Sequence, residues 1–137
     1  MKSLEPEALS GLLSGLFPDR LGIEWIEAGA DRVRARMTVS RALCTVGDVL
    51  HGGAIMALAD TMGAVGTFVN LPQGARTTTI DSSTKFIAAA PLGSVVEAEC
   101  TALHRGRTTM VWQTMIRGLD DRLCAVVTQT QLVLPGA

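Results

Sequence analysis

The sequence predicts an α+β fold, an antiparallel sheet curled about one long buried helix. Two observations carry that prediction. From Gly53 to Val69 the apolar residues Ile55, Met56, Leu58, Met62, Val65, Phe68 and Val69 fall on nearly every side of a helix, and a helix apolar all round is buried in a protein or a membrane. Strand-like runs joined largely by hairpin turns follow it, without the βαβ alternation of a parallel sheet. A spanning helix needs about 20 apolar residues with few or no charges, whereas Asp60 stands near the middle of this one. A core helix wrapped by a sheet is therefore the reading adopted.

Taken in order, Pro6 in a first turn and then Leu9, Leu12, Leu13 and Leu16 make a short amphipathic helix that should stop near Phe17-Pro18. Its expected task is to cover sheet surface. Leu21 to Ala28 and Arg32 to Val39 read as a hairpin turning at Gly29-Ala30-Asp31. The second arm alternates, with Val33, Ala35, Met37 and Val39 on one face and Arg32, Arg34, Arg36 and Thr38 on the other. Such arginines can hold an anion, but a solvated sheet face is the commoner explanation. A loop from Cys44 to Leu50 delivers His51 and Gly52-Gly53 to the mouth of the central helix, expected over Gly52 to Asn70. After a turn at Leu71 to Gly74, Thr77 to Ala89 reads as a long strand rich in Thr and Ile, broken by Pro91-Leu92-Gly93. Ser94 to Leu103 alternates, His104 to Arg107 is a tight turn, and Thr108 to Arg117 is the next strand. Gly118 to Asp121 turns again, and Arg122 to Leu134 closes the sheet.

The 137 residues make one domain, 1–137, with 1–20 as a helical lead-in. A hydrophobic content of 47% is high for a small monomer, so part of that surface is expected to meet another copy. Twelve basic and 13 acidic residues leave a net charge of -1, which implies no general affinity for nucleic acid or an anionic membrane. Cys44, Cys100 and Cys124 have no metal-binding spacing and read as reduced thiols of a cytoplasmic protein; no metal site is expected. The acids near Met1 contrast with the basic and apolar regions of a signal peptide, so export is not expected.

Asp60 is the sharpest functional clue, because a carboxylate on an apolar helix is expensive without partners or a task. It follows His51 by nine residues. A structural reading remains beside the catalytic one: Asp60 bonded to nearby hydroxyls such as Thr61, and His51 as a capping residue that orders the loop. With the element order, the motif His51-Gly52-Gly53-x6-Asp60 resembles the hotdog-fold thioesterases, and among them the PaaI-like acyl-CoA thioesterases. The resemblance runs from about Gly22 to Leu134. It also draws on Gly47, Leu58-Ala59-Asp60-Thr61, the run Thr79 to Phe86, Pro91-Leu92-Gly93, Gly106-Arg107 and Thr128-Gln129-Thr130.

The resemblance implies an acyl-CoA thioesterase that uses no cofactor, coenzyme A arriving as part of the substrate. Asp60 would be the general base or the nucleophile. The Gly52 amide at the helix N-terminus would polarise the carbonyl, and His51 could assist the leaving thiolate. Thr79 fits the hydroxyl that some relatives place on the strand after the helix. Two positions depart from the pattern: Thr45 stands where relatives place Asn or Gln, and Ala64 where some place Ser or Thr. Coenzyme A would lie along a rim of Phe86, Ala89 and Pro91 and at the turn of His104, Arg105, Gly106 and Arg107. A hydratase and a non-catalytic acyl-CoA-binding module are the alternatives. Gly52 and Asp60 are eight residues apart, about 12 Å along a helix. Two antiparallel copies are therefore expected to share each site, as a homodimer that can double to a homotetramer.

Overall fold

The computed structural model describes residues 2–136. Helices α1 (Pro6–Leu12) and α2 (Phe17–Arg20) lead into strands β1 (Ile23–Ala28) and β2 (Arg32–Thr38). A two-residue pair follows, β3 (Cys44–Thr45) and β4 (Val49–Leu50), and hands the chain to helix α3 (Gly52–Asn70). Strands β5 (Arg76–Phe86), β6 (Val95–Arg105), β7 (Thr109–Arg117) and β8 (Leu123–Leu134) complete it. The main sheet has six strands in the order β1-β2-β6-β7-β8-β5, every neighbouring pair antiparallel. Helix α3 packs on strands across this sheet, as the apolar pattern predicts.

Alternation explains how the sheet finds its inner face. On β2 the buried residues are Val33, Ala35 and Met37, and on β6 Val96, Ala98 and Cys100. The outer face of β2 carries the arginines, two of them paired across strands: Arg32 with Glu27 at 3.0 Å and with Glu99 at 3.5 Å, Arg36 with Glu97 at 3.7 Å. The solvated-face reading of those arginines fits this pairing. On the inner side, glycine lets the sheet approach α3 closely. A Cβ on Gly66 would stand 2.8 Å from the Trp112 ring, whose Nε1 donates to Thr67 Oγ1 at 2.8 Å.

Four expectations need correction. The first helix ends at Leu12, and Pro18 sits in the first turn of α2, where its missing N–H leaves nothing unpaired. Strand β5 ends at Phe86 and not Ala89, because Ile87 and Ala88 both donate to Cys124 O and the ladder stops there. Strand β6 runs on through Arg105, so the turn shortens to the residues around Gly106, whose N–H donates to Thr109 O at 2.8 Å. Finally, α3 is not covered on every side by its own sheet. Leu58, Ala59, Met62 and Val69 are fully buried, but Met56 is 42% and Phe68 38% exposed, with Ala57, Thr61 and Ala64 half-buried between them. A sheet curled on one side of a helix leaves the opposite stripe open.

Candidate active site

The open stripe of α3 is where Asp60 lies. Its Oδ1 accepts a hydrogen bond from Thr79 Oγ1 at 2.6 Å, across from β5, and a longer one from Gln129 Nε2 on β8 at 3.3 Å. The same Gln129 nitrogen also lies 3.3 Å from the Asp60 carbonyl oxygen. Thr61, the neighbouring hydroxyl, bonds to Ala57 O one turn back, so the partners of Asp60 come from the sheet. A hollow of about 390 Å³ opens beside the carboxylate. Its walls are mostly apolar, with Leu9, Leu13 and Phe17 from the N-terminal segment facing Ala64, Val65 and Phe68 of α3.

At the helix start, hydrogen bonding leaves one amide free. His51 N–H donates to Leu43 O at 2.8 Å, Gly53 N–H donates to His51 Nδ1 at 2.7 Å, and Ala54 N–H donates to His51 O at 2.9 Å. Gly52 N–H has no acceptor among the described residues. It sits at the positive end of the helix dipole, aimed as an anion-binding donor. His51 is thus the N-cap, with its ring accepting through Nδ1, which fits the structural role considered for it. The Phe86 ring lies against Gly52; a Cβ there would be 3.1 Å from it. Phe86, Ala89 and Gly52 share the lining of a second hollow of about 370 Å³.

Residues 47–125 match the thioesterase superfamily. The chain belongs to that superfamily. The solved thioesterase HI1161 of Haemophilus influenzae is 32% identical with a TM-score of 0.90, over 97% of this chain and 92% of that one. The proofreading thioesterase EntH of Cronobacter turicensis is 31% identical over 86% of this chain and 85% of its own length. The PaaI protein of Escherichia coli shares the fold at 22% identity and a TM-score of 0.84, over 95% of this chain and 92% of that one. The hotdog architecture and the PaaI-like resemblance are therefore borne out, and the protein is a thioester hydrolase.

In this thioesterase the residues singled out from sequence fall into three groups. Thr79 and Asp60 meet directly. Gly52, His51, Phe86 and Ala89 gather at the N-terminal end of α3, with Pro91 bridged to Val49 close by. Arg105, Gly106 and Arg107 lie at the other end, lining a hollow of about 470 Å³ with Lys2 and Asn70, and the exposed His104 precedes them on β6. Arg105 is already engaged, 2.8 Å from Asp31 and donating to Ala30 O at 3.2 Å, while Arg107 pairs with none of the described residues. Thr45 is exposed on the small β3–β4 pair and bonds to none of these groups. Gln131 escaped the sequence reading, and Gln129 entered it only within the run Thr128-Gln129-Thr130, with no role assigned. Their signal was available: they occupy the inner face of β8, whose other members are Ala125, Val127 and Val133.

Proposed function

We propose that this thioesterase hydrolyses acyl-CoA thioesters to a free acid and coenzyme A at sites shared between two protomers, with residues 1–137 acting as one domain. In the general-base route Asp60 takes a proton from water, and the oxygen adds to the thioester carbonyl carbon. The oxyanion is stabilised by Gly52 N–H, the C–S bond then breaks, and the sulfur leaves as a thiol after gaining a proton. In the nucleophilic route Asp60 adds directly to the carbonyl carbon, and the C–S bond breaks to expel the thiolate. Water then cleaves the resulting anhydride to the free acid, regenerating the Asp60 carboxylate and giving the thiolate its proton. Either route uses a carboxylate with one oxygen held and one free. The observation that carries the reading is the short Thr79–Asp60 bond in the wall of an apolar hollow. That hollow favours an apolar acyl group of modest size, since its volume lies near the lower end of small-ligand pockets.

Gly52 and Asp60 cannot serve one carbonyl within a chain, because eight helical residues separate them by about 12 Å. In an antiparallel pair of α3 helices, each Asp60 faces the other protomer's Gly52 end when the two-fold axis passes near Met56, midway between them. The exposure of Met56 and of the β5 edge supports that pairing. Coenzyme A phosphates would meet Arg107 and Lys2, the two cations of the third hollow that Asp31 does not engage. The test is thiol release from a panel of acyl-CoAs followed with a colorimetric thiol reagent. Turnover of at least one acyl-CoA is expected; no release across aliphatic and aromatic members would overturn the proposal.

A further inference from the structure

Gln129 and Gln131 are 1% and 0% exposed, two of the few buried polar side chains among the described residues. Burying an amide costs free energy unless its groups are bonded, so two glutamines on an otherwise apolar strand face call for an account. Their bonds run in one direction. Thr77 Oγ1 donates to Gln131 Oε1 at 2.8 Å, the shorter of its two contacts beside Leu132 O at 3.0 Å. Gln131 Nε2 donates to Thr79 Oγ1 at 2.6 Å, and Thr79 Oγ1 donates to Asp60 Oδ1 at 2.6 Å. A hydroxyl has one proton. With Gln131 donating into the Thr79 oxygen, that proton points at the carboxylate. In the reversed amide, Oε1 would face Thr79 and compete with Asp60 for the same proton.

We infer that Gln131 and Gln129, backed by Thr77, are positioning residues for the Asp60 carboxylate. They aim the Thr79 hydroxyl at Oδ1 and fix the side-chain rotamer, so that Oδ2, which no described side chain bonds, is the oxygen left for chemistry. Gly63 belongs to the same device. A Cβ there would stand 2.4 Å from the Gln129 amide, so only glycine lets that side chain reach over the helix to Asp60. Donation along the chain also polarises each next hydrogen bond. Among the described residues no other charged side chain lines the hollow beside Asp60; Asp19 and Arg20 on α2 and Arg76 and Asp81 on β5 are exposed. The glutamines are thus the groups placed to control it.

The inference rests on the role proposed for Asp60, and the experiment separates the two. Gln131→Met keeps the approximate volume and removes both ends of the relay, while the isosteric Thr77→Val removes only its outer hydroxyl. Each is expected to lower kcat, Gln131→Met by about tenfold, the weight of the charge-assisted Thr79–Asp60 bond it would misalign, with KM within about twofold. Thr77→Ser keeps the hydroxyl and should turn over faster than Thr77→Val. Independently of activity, the Thr79 hydroxyl proton should give a slowly exchanging downfield NMR resonance that shifts in Gln131→Met. Wild-type kcat in both folded variants with an unmoved resonance overturns the inference. So does a loss confined to melting temperature, which would make the glutamines purely structural. An Asp60→Asn variant with full turnover would instead sink the catalytic role of Asp60, and the Thr79 resonance would still decide whether the relay exists.

Discussion

Asp60 takes its donors from Thr79 and Gln129 through one oxygen, and an Asn side chain can accept the same two bonds. Asp60→Asn should therefore fold normally while kcat falls by about 10²-fold or more, because the proposed base or nucleophile is gone. Thr79→Ala removes one donor and leaves the carboxylate, so its loss should be smaller. Steady-state kinetics beside thermal melting would separate chemistry from folding in both. Cys100 illustrates the opposite case, a titratable group with no task. Burial pushes its thiol from 9.0 up to about 12, against a smaller opposing effect of its hydrogen bond with Thr114. The folded state then holds this proton more tightly than the unfolded one. Its contribution to stability is complete below about pH 9 and is lost as pH rises towards 12. Cys100 should thus resist alkylation at pH 8 until the protein unfolds, whereas half-buried Cys44 should label first, a difference that mass spectrometry of the modified peptides would read.

Helix α3 meets the sheet through glycines, and this closeness sets its tolerance to change. At Gly66 an added methyl would press on the fully buried Trp112 ring at 2.8 Å, with no flexible end to yield. Gly66→Ala should cost about 1–3 kcal/mol by denaturant unfolding, the range of overpacked cores. At the β6–β7 hairpin the two arginines part company. Arg105 fastens the turn to Asp31 and Ala30 O, and Arg107 lines the Lys2 hollow with no partner among the described residues. Arg107→Ala should raise KM for acyl-CoA with little change in kcat, the pattern of lost uniform binding. A short pantetheine thioester should not notice the change. Equal losses on both substrates would return Arg107 to a structural role.

For the whole molecule the open stripe of α3 and the free edge of β5 raise the same question, what covers them. Met56 at 42%, Phe68 at 38%, Ile80 at 55% and Phe86 at 56% exposure lie on these two surfaces. A symmetric pair of chains would bury both, removing apolar surface and an unpaired strand edge together. Met56, next to the proposed axis, would then meet its own counterpart. Met56→Glu places two like charges together there and should yield inactive monomers by sedimentation. Mixing Asp60→Asn chains with chains blocked at Gly52 should restore part of the activity, since a mixed dimer keeps one intact site. No recovery despite subunit exchange would rule out shared sites.

Much of this was legible in the chain itself. The all-round apolar run determined α3 from Gly52 to Asn70, and alternation determined the faces of β2 and β6, because burial imposes a pattern that local reading detects. The motif of His51, Gly52 and Asp60 marked both halves of the candidate site, Asp60 as a carboxylate on an apolar helix and the other two through the family resemblance. Strand ends were less legible: β5 stops where its neighbour's bonding runs out at Cys124, a fact of pairing between residues 87 and 124. The partners of Asp60 were decided by tertiary structure alone. Thr79 lies 19 residues away in sequence and Gln129 lies 69, and only the curl of the sheet brings β5 and β8 over the middle of the helix. The same curl left one stripe of an all-round apolar helix uncovered, since a sheet that wraps one side of a helix has no strand to place on the other.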